Sequence, residues 1–68
     1  MKMWNYKELR DKNSDELLDL LSDYLGLKND IINIIENDKK SEEYYYKEFL
    51  MYYDINITKI KNELEIHS

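Results

Sequence analysis

Residues 18–37 read LDLLSDYLGLKNDIINIIEN, and this run predicts two helices that meet at a corner. A steep helix crossing needs a small residue where the helices approach, here Ser22, and a turn residue that tolerates a left-handed backbone, here Gly26. Apolar side chains before and after Gly26 would then pack the corner. The sequence therefore predicts a helix-turn-helix-like pair over residues 14–40, in which Gly26→Val should be destabilising.

The residues on either side of this pair complete a three-helix prediction. Residues 1–13 predict a lead-in segment that forms a turn or a short helix. Ser14 is a favoured N-cap for the next helix, because the acidic residues after it stabilise a first turn. A longer C-terminal helix is expected over residues 41–66, although the β-branched run at 54–58 is also compatible with a break or a short strand. We therefore expect one all-α domain over residues 1–68.

Two apolar faces mark the C-terminal helix. One has the heptad spacing of a core stripe: Tyr46, Leu50, Tyr53, Ile57, Ile60 and Leu64. A domain this small cannot bury both sides of the helix, so the opposite face predicts a surface for a partner protein or a second copy. The residues of this outer face are Tyr44, Met51, Tyr52 and Ile55, followed by Ile66. The alternative is that an AT-rich gene has placed tyrosines on the surface.

A second candidate surface lies on the first long helix. Asp15, Asp19 and Asp23 are spaced by four residues, which places their carboxylates about 6 Å apart on one side. One interpretation is a solvated face. The other is phosphate mimicry, in which this acidic ladder occupies the basic groove of a nucleic-acid-binding protein.

Charge argues against direct binding to DNA. The chain has fifteen acidic residues against ten Lys and Arg, a net charge of −5. Affinity for DNA depends on neutralising phosphates, yet the second helix of the pair offers Lys28 against Asp30 and Glu36. A basic patch would need several dispersed cations to converge: Lys2, Lys7, Arg10, Lys12 and Lys28.

The composition predicts no enzyme. No cysteine is present, His67 is the only histidine, and the single glycine excludes a glycine-rich phosphate loop. We therefore expect no catalytic residues, no metal and no cofactor. The missing cysteines and the lack of a signal pattern or an apolar run of about 18 residues predict a cytoplasmic protein that does not enter a membrane.

Two segments resemble known families. Residues 6–17, YKELRDKNSDEL, look like the opening of the small two-helix ribosomal protein near the tunnel exit of the large subunit, and residues 57–61, ITKIK, resemble its closing segment. That resemblance implies binding to ribosomal RNA, although this chain is acidic where that family is rich in Arg and Gln. Residues 14–18 and 34–37 are similar to a helical-hairpin inhibitor of sporulation histidine kinases, which implies inhibition of a protein.

The acidic surface favours the second implication. We expect a small acidic regulator that binds a protein, of the inhibitor or antagonist type encoded by phages and mobile elements, with a homodimer as another use of the same face. The first alternative is a helix-turn-helix DNA-binding transcriptional regulator. The second is a diverged small ribosomal protein.

Overall fold

The computed structural model describes residues 3–37 and 43–67, the side chains of residues 43 and 44 excepted. Over these residues the chain forms α1 (Tyr6–Arg10), α2 (Ser14–Asn37) and α3 (Glu43–His67). This confirms a small all-α domain, and its C-terminal helix is the longest, with 25 residues against 24 in α2. The lead-in segment contains a short helix. The expected start of the last helix at residue 41 lies outside the described residues.

Asparagine side chains cap the N-termini of the first two helices. Asn5 Oδ1 accepts a hydrogen bond from the backbone N–H of Glu8 at 2.8 Å. Asn13 Oδ1 accepts one from the N–H of Glu16 at 2.8 Å, and Glu16 Oε1 accepts one from the N–H of Asn13 at 3.1 Å. This reciprocal pair is a capping box. The N-cap of α2 is therefore Asn13, and the prediction of Ser14 was wrong by one residue.

The corner predicted at Gly26 is absent. α2 runs unbroken through this residue, and Gly26 lacks the positive φ that the turn required. A glycine inside a helix costs only about 1 kcal/mol relative to alanine. The apolar period continues across it, with Leu17 and Tyr24 buried before it and Ile31 packed against the core after it. The packing of one long helix therefore outweighs the tendency of glycine to end it.

α2 and α3 lie side by side as an antiparallel hairpin. A helix of this length spans about 36 Å, and the molecule measures 42 × 17 × 15 Å, so the two helices overlap along most of their length. Five residues between them reach about 20 Å at most. Asn37 and Glu43 must therefore lie at the same end of the hairpin.

The predicted stripe of α3 forms the core. Its members are buried (Tyr53, Ile57 and Ile60) or partly buried (Tyr46, Leu50 and Leu64). Leu9 of α1 and Leu17 and Tyr24 of α2 complete the buried cluster. Residues 54–58 are helical, because the burial of Ile57 and the hydrogen bond that Asn56 Oδ1 accepts from Trp4 outweigh the modest helix propensity of this run. None of the described helices is both long enough and apolar enough to span a membrane.

Candidate protein-interaction surface

The outer face of α3 remains open to solvent. Met51 is 59% exposed, Tyr52 40% and Ile55 39%. The helix brings these three side chains to one side because Ile55 lies four residues after Met51 and three after Tyr52. The side chain of Tyr44, the fourth predicted member, lies outside the described residues. Further along the helix, Ile66 is 63% exposed.

A shallow cleft borders this face where the N-terminal segment meets α3. It encloses about 290 Å³ between Tyr6, Asp54, Ile55, Thr58 and Lys59. Tyr6 is held beside α3 by Asn62, whose Nδ2 donates to the Tyr6 hydroxyl at 3.3 Å. Ile55 is thus an apolar wall of a cleft whose other walls are polar or aromatic.

A second cleft contains an aromatic residue that sequence reasoning missed. Tyr45, Glu48, Phe49 and Tyr52 enclose about 150 Å³, and Tyr45 is 50% exposed. The rings of Tyr45 and Phe49 meet edge to face, with centroids 4.9 Å apart. Residues 45, 49 and 52 have the spacing of a helical stripe, which could have revealed them. Only Tyr52 of the three was predicted, because the neighbouring stripe through Tyr46 accounts for the core without Tyr45 and Phe49.

The aromatic cleft is continuous with the core. The Phe49 ring centroid lies 6.4 Å from that of Tyr53, which lies 5.9 Å from that of Tyr24. Such tilted ring pairs add stability beyond the area they bury. The exposed Tyr45 is therefore connected through Phe49 and Tyr53 to Tyr24 of α2.

The acidic ladder lies on the outward side of α2. Asp15, Asp19 and Asp23 are all exposed, and the structure does not bring them together with Met51 and Ile55, which face outward from the other helix. A shallow depression adjoins the ladder, and its lining includes Ser22, Asp23, Gly26, Leu27 and Asp30. Among the described residues no three His, Asp or Glu side chains are grouped as metal ligands.

Polar contacts fix the N-terminal segment to the hairpin. The backbone N–H of Trp4 donates to Asn56 Oδ1 at 3.0 Å, and Lys59 Nζ donates to the Trp4 carbonyl at 2.8 Å. The indole Nε1 of Trp4 donates to the Tyr24 hydroxyl at 2.9 Å. Trp4 therefore links α2 and α3 on one side of the molecule. Asn56 and Lys59 of α3 are more than fifty residues from Trp4 in the sequence, so no local pattern indicates these contacts.

Among the described residues the dispersed cations do not form a free basic patch. Lys28 Nζ lies 2.6 Å from Asp54 Oδ1, and Arg10 Nη2 lies 3.4 Å from Glu63 Oε1. Lys12 Nζ lies 5.0 Å from the centroid of the Trp4 ring. Lys2 is outside the described residues. Three of the five cations are thus engaged within the molecule.

The chain matches no protein-family model, no curated protein and no solved structure.

Proposed function

We propose that this protein is a small acidic protein-binding module of the inhibitor or antagonist type, and that it contacts its target through the outer face of α3. One observation carries the proposal: Met51, Tyr52 and Ile55 are 59%, 40% and 39% exposed. The opposite stripe of the same helix is buried or partly buried. Exposed Tyr and Met side chains are typical of the cores of protein interfaces.

The charge distribution supports a protein target rather than a nucleic acid. The net charge is −5, and the continuous α2 lacks the corner on which a helix-turn-helix regulator depends. The acidic ladder adds a second contact surface for a basic protein, in keeping with nucleic-acid mimicry. The missing cysteines make a reducing cytoplasm a suitable location.

Site-specific photo-crosslinking tests the proposal. A benzophenone amino acid placed at position 52 should trap a discrete protein from a nuclease-treated bacterial lysate. The matched control carries the same amino acid in place of Asn29, an exposed residue of α2. Equal labelling at both positions, or labelling only of a second copy of this chain, would contradict binding of a separate target through α3.

A diverged ribosomal protein remains the second candidate, and one observation favours it. The two segments that resemble that family, residues 6–17 and 57–61, lie together at one end of the hairpin, where Lys59 Nζ is 5.8 Å from the centroid of the Tyr6 ring. The continuous α2 also leaves two long helices, as that resemblance implies. Cosedimentation with purified large ribosomal subunits, lost when Lys7 and Lys61 are changed to Glu, would support this candidate over the first.

A further inference from the structure

The two long helices form a groove on the side where the N-terminal segment packs. Trp4 contacts both walls of it, through the Tyr24 hydroxyl on α2 and Asn56 on α3. Leu9 of α1 is fully buried further along. Trp4 and Leu9 therefore fill the half of the groove nearer the start of α2 and the end of α3.

The same groove continues, uncovered by any described residue, toward the connection between α2 and α3. On α2, Leu27 and Ile34 follow Tyr24 at helical spacing, so they extend the wall that Trp4 contacts. On α3, Tyr52 and Tyr45 precede Lys59 by one and two heptads and extend the other wall. These four side chains are all exposed: Leu27 44%, Ile34 39%, Tyr45 50% and Tyr52 40%.

The charges along this open half are acidic. Asp23 and Asp30 line the depression beside Leu27, and Glu48 lines the cleft with Tyr45 and Tyr52. The nearest cation of α2, Lys28, is paired with Asp54 on the other side of the hairpin. Lys47 is about 160° around α3 from Tyr45. Among the described residues the open half therefore presents apolar and aromatic walls with carboxylates at their edges.

We infer that the open half of this groove binds an amphipathic helix of a partner protein, with aromatic or leucine anchors flanked by Lys and Arg. The inference rests on the proposed function and names the chemistry of the target, and the groove shares Tyr52 with the outer face of α3. Each wall is about 10 Å long, which matches two turns of a helix, and helix-in-groove recognition uses anchors at such spacing. The cationic flanks would approach the carboxylates. A second copy fits poorly, since it would bring its own acidic edges to the same place.

Two synthetic helical peptides of 14 residues provide the test. They share one stripe of Trp and Leu and differ only in their flanking residues, Lys in one and Glu in the other. By fluorescence anisotropy we expect the Lys peptide to bind at least about tenfold more tightly, because the acidic edges repel the other. Tyr45→Ser and Leu27→Ser, one from each wall, should each weaken the Lys peptide by about fivefold or more.

Leu18→Ser is the matched control for Leu27→Ser, because Leu18 is 53% exposed on the same helix but lies about 180° around it from Leu27, away from the groove. It should change the affinity by less than about twofold. Circular dichroism establishes whether each variant is folded. If one of the two wall variants does not fold, the affinity of the other is enough to test the groove. Equal affinity for the two peptides, or a loss with Leu18→Ser equal to that with Leu27→Ser, would overturn the inference.

Sedimentation velocity tests whether a second copy of the chain occupies the groove. A dimer that Tyr45→Ser dissociates would assign the groove to a second copy and would also overturn the inference. The peptide measurements need no natural target, so they fail independently of the proposed function. If crosslinking at position 52 captures a protein while the peptides show no preference for Lys, the proposed function stands and the groove is not its site.

Discussion

Glu63 is a fully buried residue at the point where α1 crosses α3. Its Oε1 is 3.4 Å from Nη2 of Arg10, and its Oε2 has no hydrogen-bond partner. Burying a carboxylate with one oxygen unpaired costs free energy, because the lost hydration is only partly replaced. Arg10, whose side chain is 64% exposed, is therefore the main compensation for this charge.

Removing the two partners separately should have unequal effects. Arg10→Ala leaves the buried carboxylate without its partner, and we expect the free energy of unfolding to fall by about 1–3 kcal/mol. Glu63→Met keeps the volume and removes the charge, so it should cost less or even stabilise. Urea unfolding followed by circular dichroism measures both. A larger loss for Glu63→Met would mean that the pair is a net source of stability.

Substitution of Gly26 should stabilise the fold, in contrast to Arg10→Ala. A Cβ added there would meet nothing within 4 Å, and its backbone is helical. Gly26→Ala should therefore raise the free energy of unfolding by about 0.5–1 kcal/mol, because alanine loses less conformational entropy in a helix. Gly26→Val should not be destabilising, contrary to the expectation from a corner. A rise in the urea midpoint checks this, and a fall would indicate a turn at this residue.

The two faces of α3 differ in burial, since Ile60 is fully buried and Met51 is 59% exposed. Ile60→Ala should lower the free energy of unfolding by about 2–5 kcal/mol, because it opens a cavity in the core. Met51→Ala, on the exposed face of the same helix, should change it by less than about 0.5 kcal/mol. Thermal unfolding at low protein concentration compares the two. If Met51→Ala unfolds the protein equally, its face is internal, and the target surface must be sought on Asp15, Asp19 and Asp23.

The whole molecule is elongated for its size. Its Cα radius of gyration is 13.5 Å, whereas a compact chain of 68 residues would have about 11 Å. A long hairpin leaves a large surface relative to its core, so covering part of that surface would add stability.

Small-angle X-ray scattering tests this shape. We expect a radius of gyration near 13.5 Å, increased slightly by hydration, and a maximum dimension no shorter than the 42 Å axis. The scattering mass should be that of one chain of 8.4 kDa at low concentration. A value near 11 Å would instead indicate that the hairpin folds back on itself, as the corner at Gly26 would require.

Much of the helical architecture follows from local sequence. The stripe from Tyr46 to Leu64 identified the buried side of α3, and it thereby left Met51 and Ile55 on the solvent side. Helical periodicity carries this information because one turn brings residues three and four positions apart onto the same side. The same reasoning placed the acidic ladder on an exposed face of α2.

Tertiary structure decided the rest. Gly26 is helical because α3 and the core give the whole of α2 a surface to pack against, and residue propensity alone does not include that energy. The contacts of Trp4 with Asn56 and Lys59, and of Arg10 with Glu63, join residues more than fifty positions apart. No periodicity links such residues, so the groove and the segment that half fills it exist only in the folded chain.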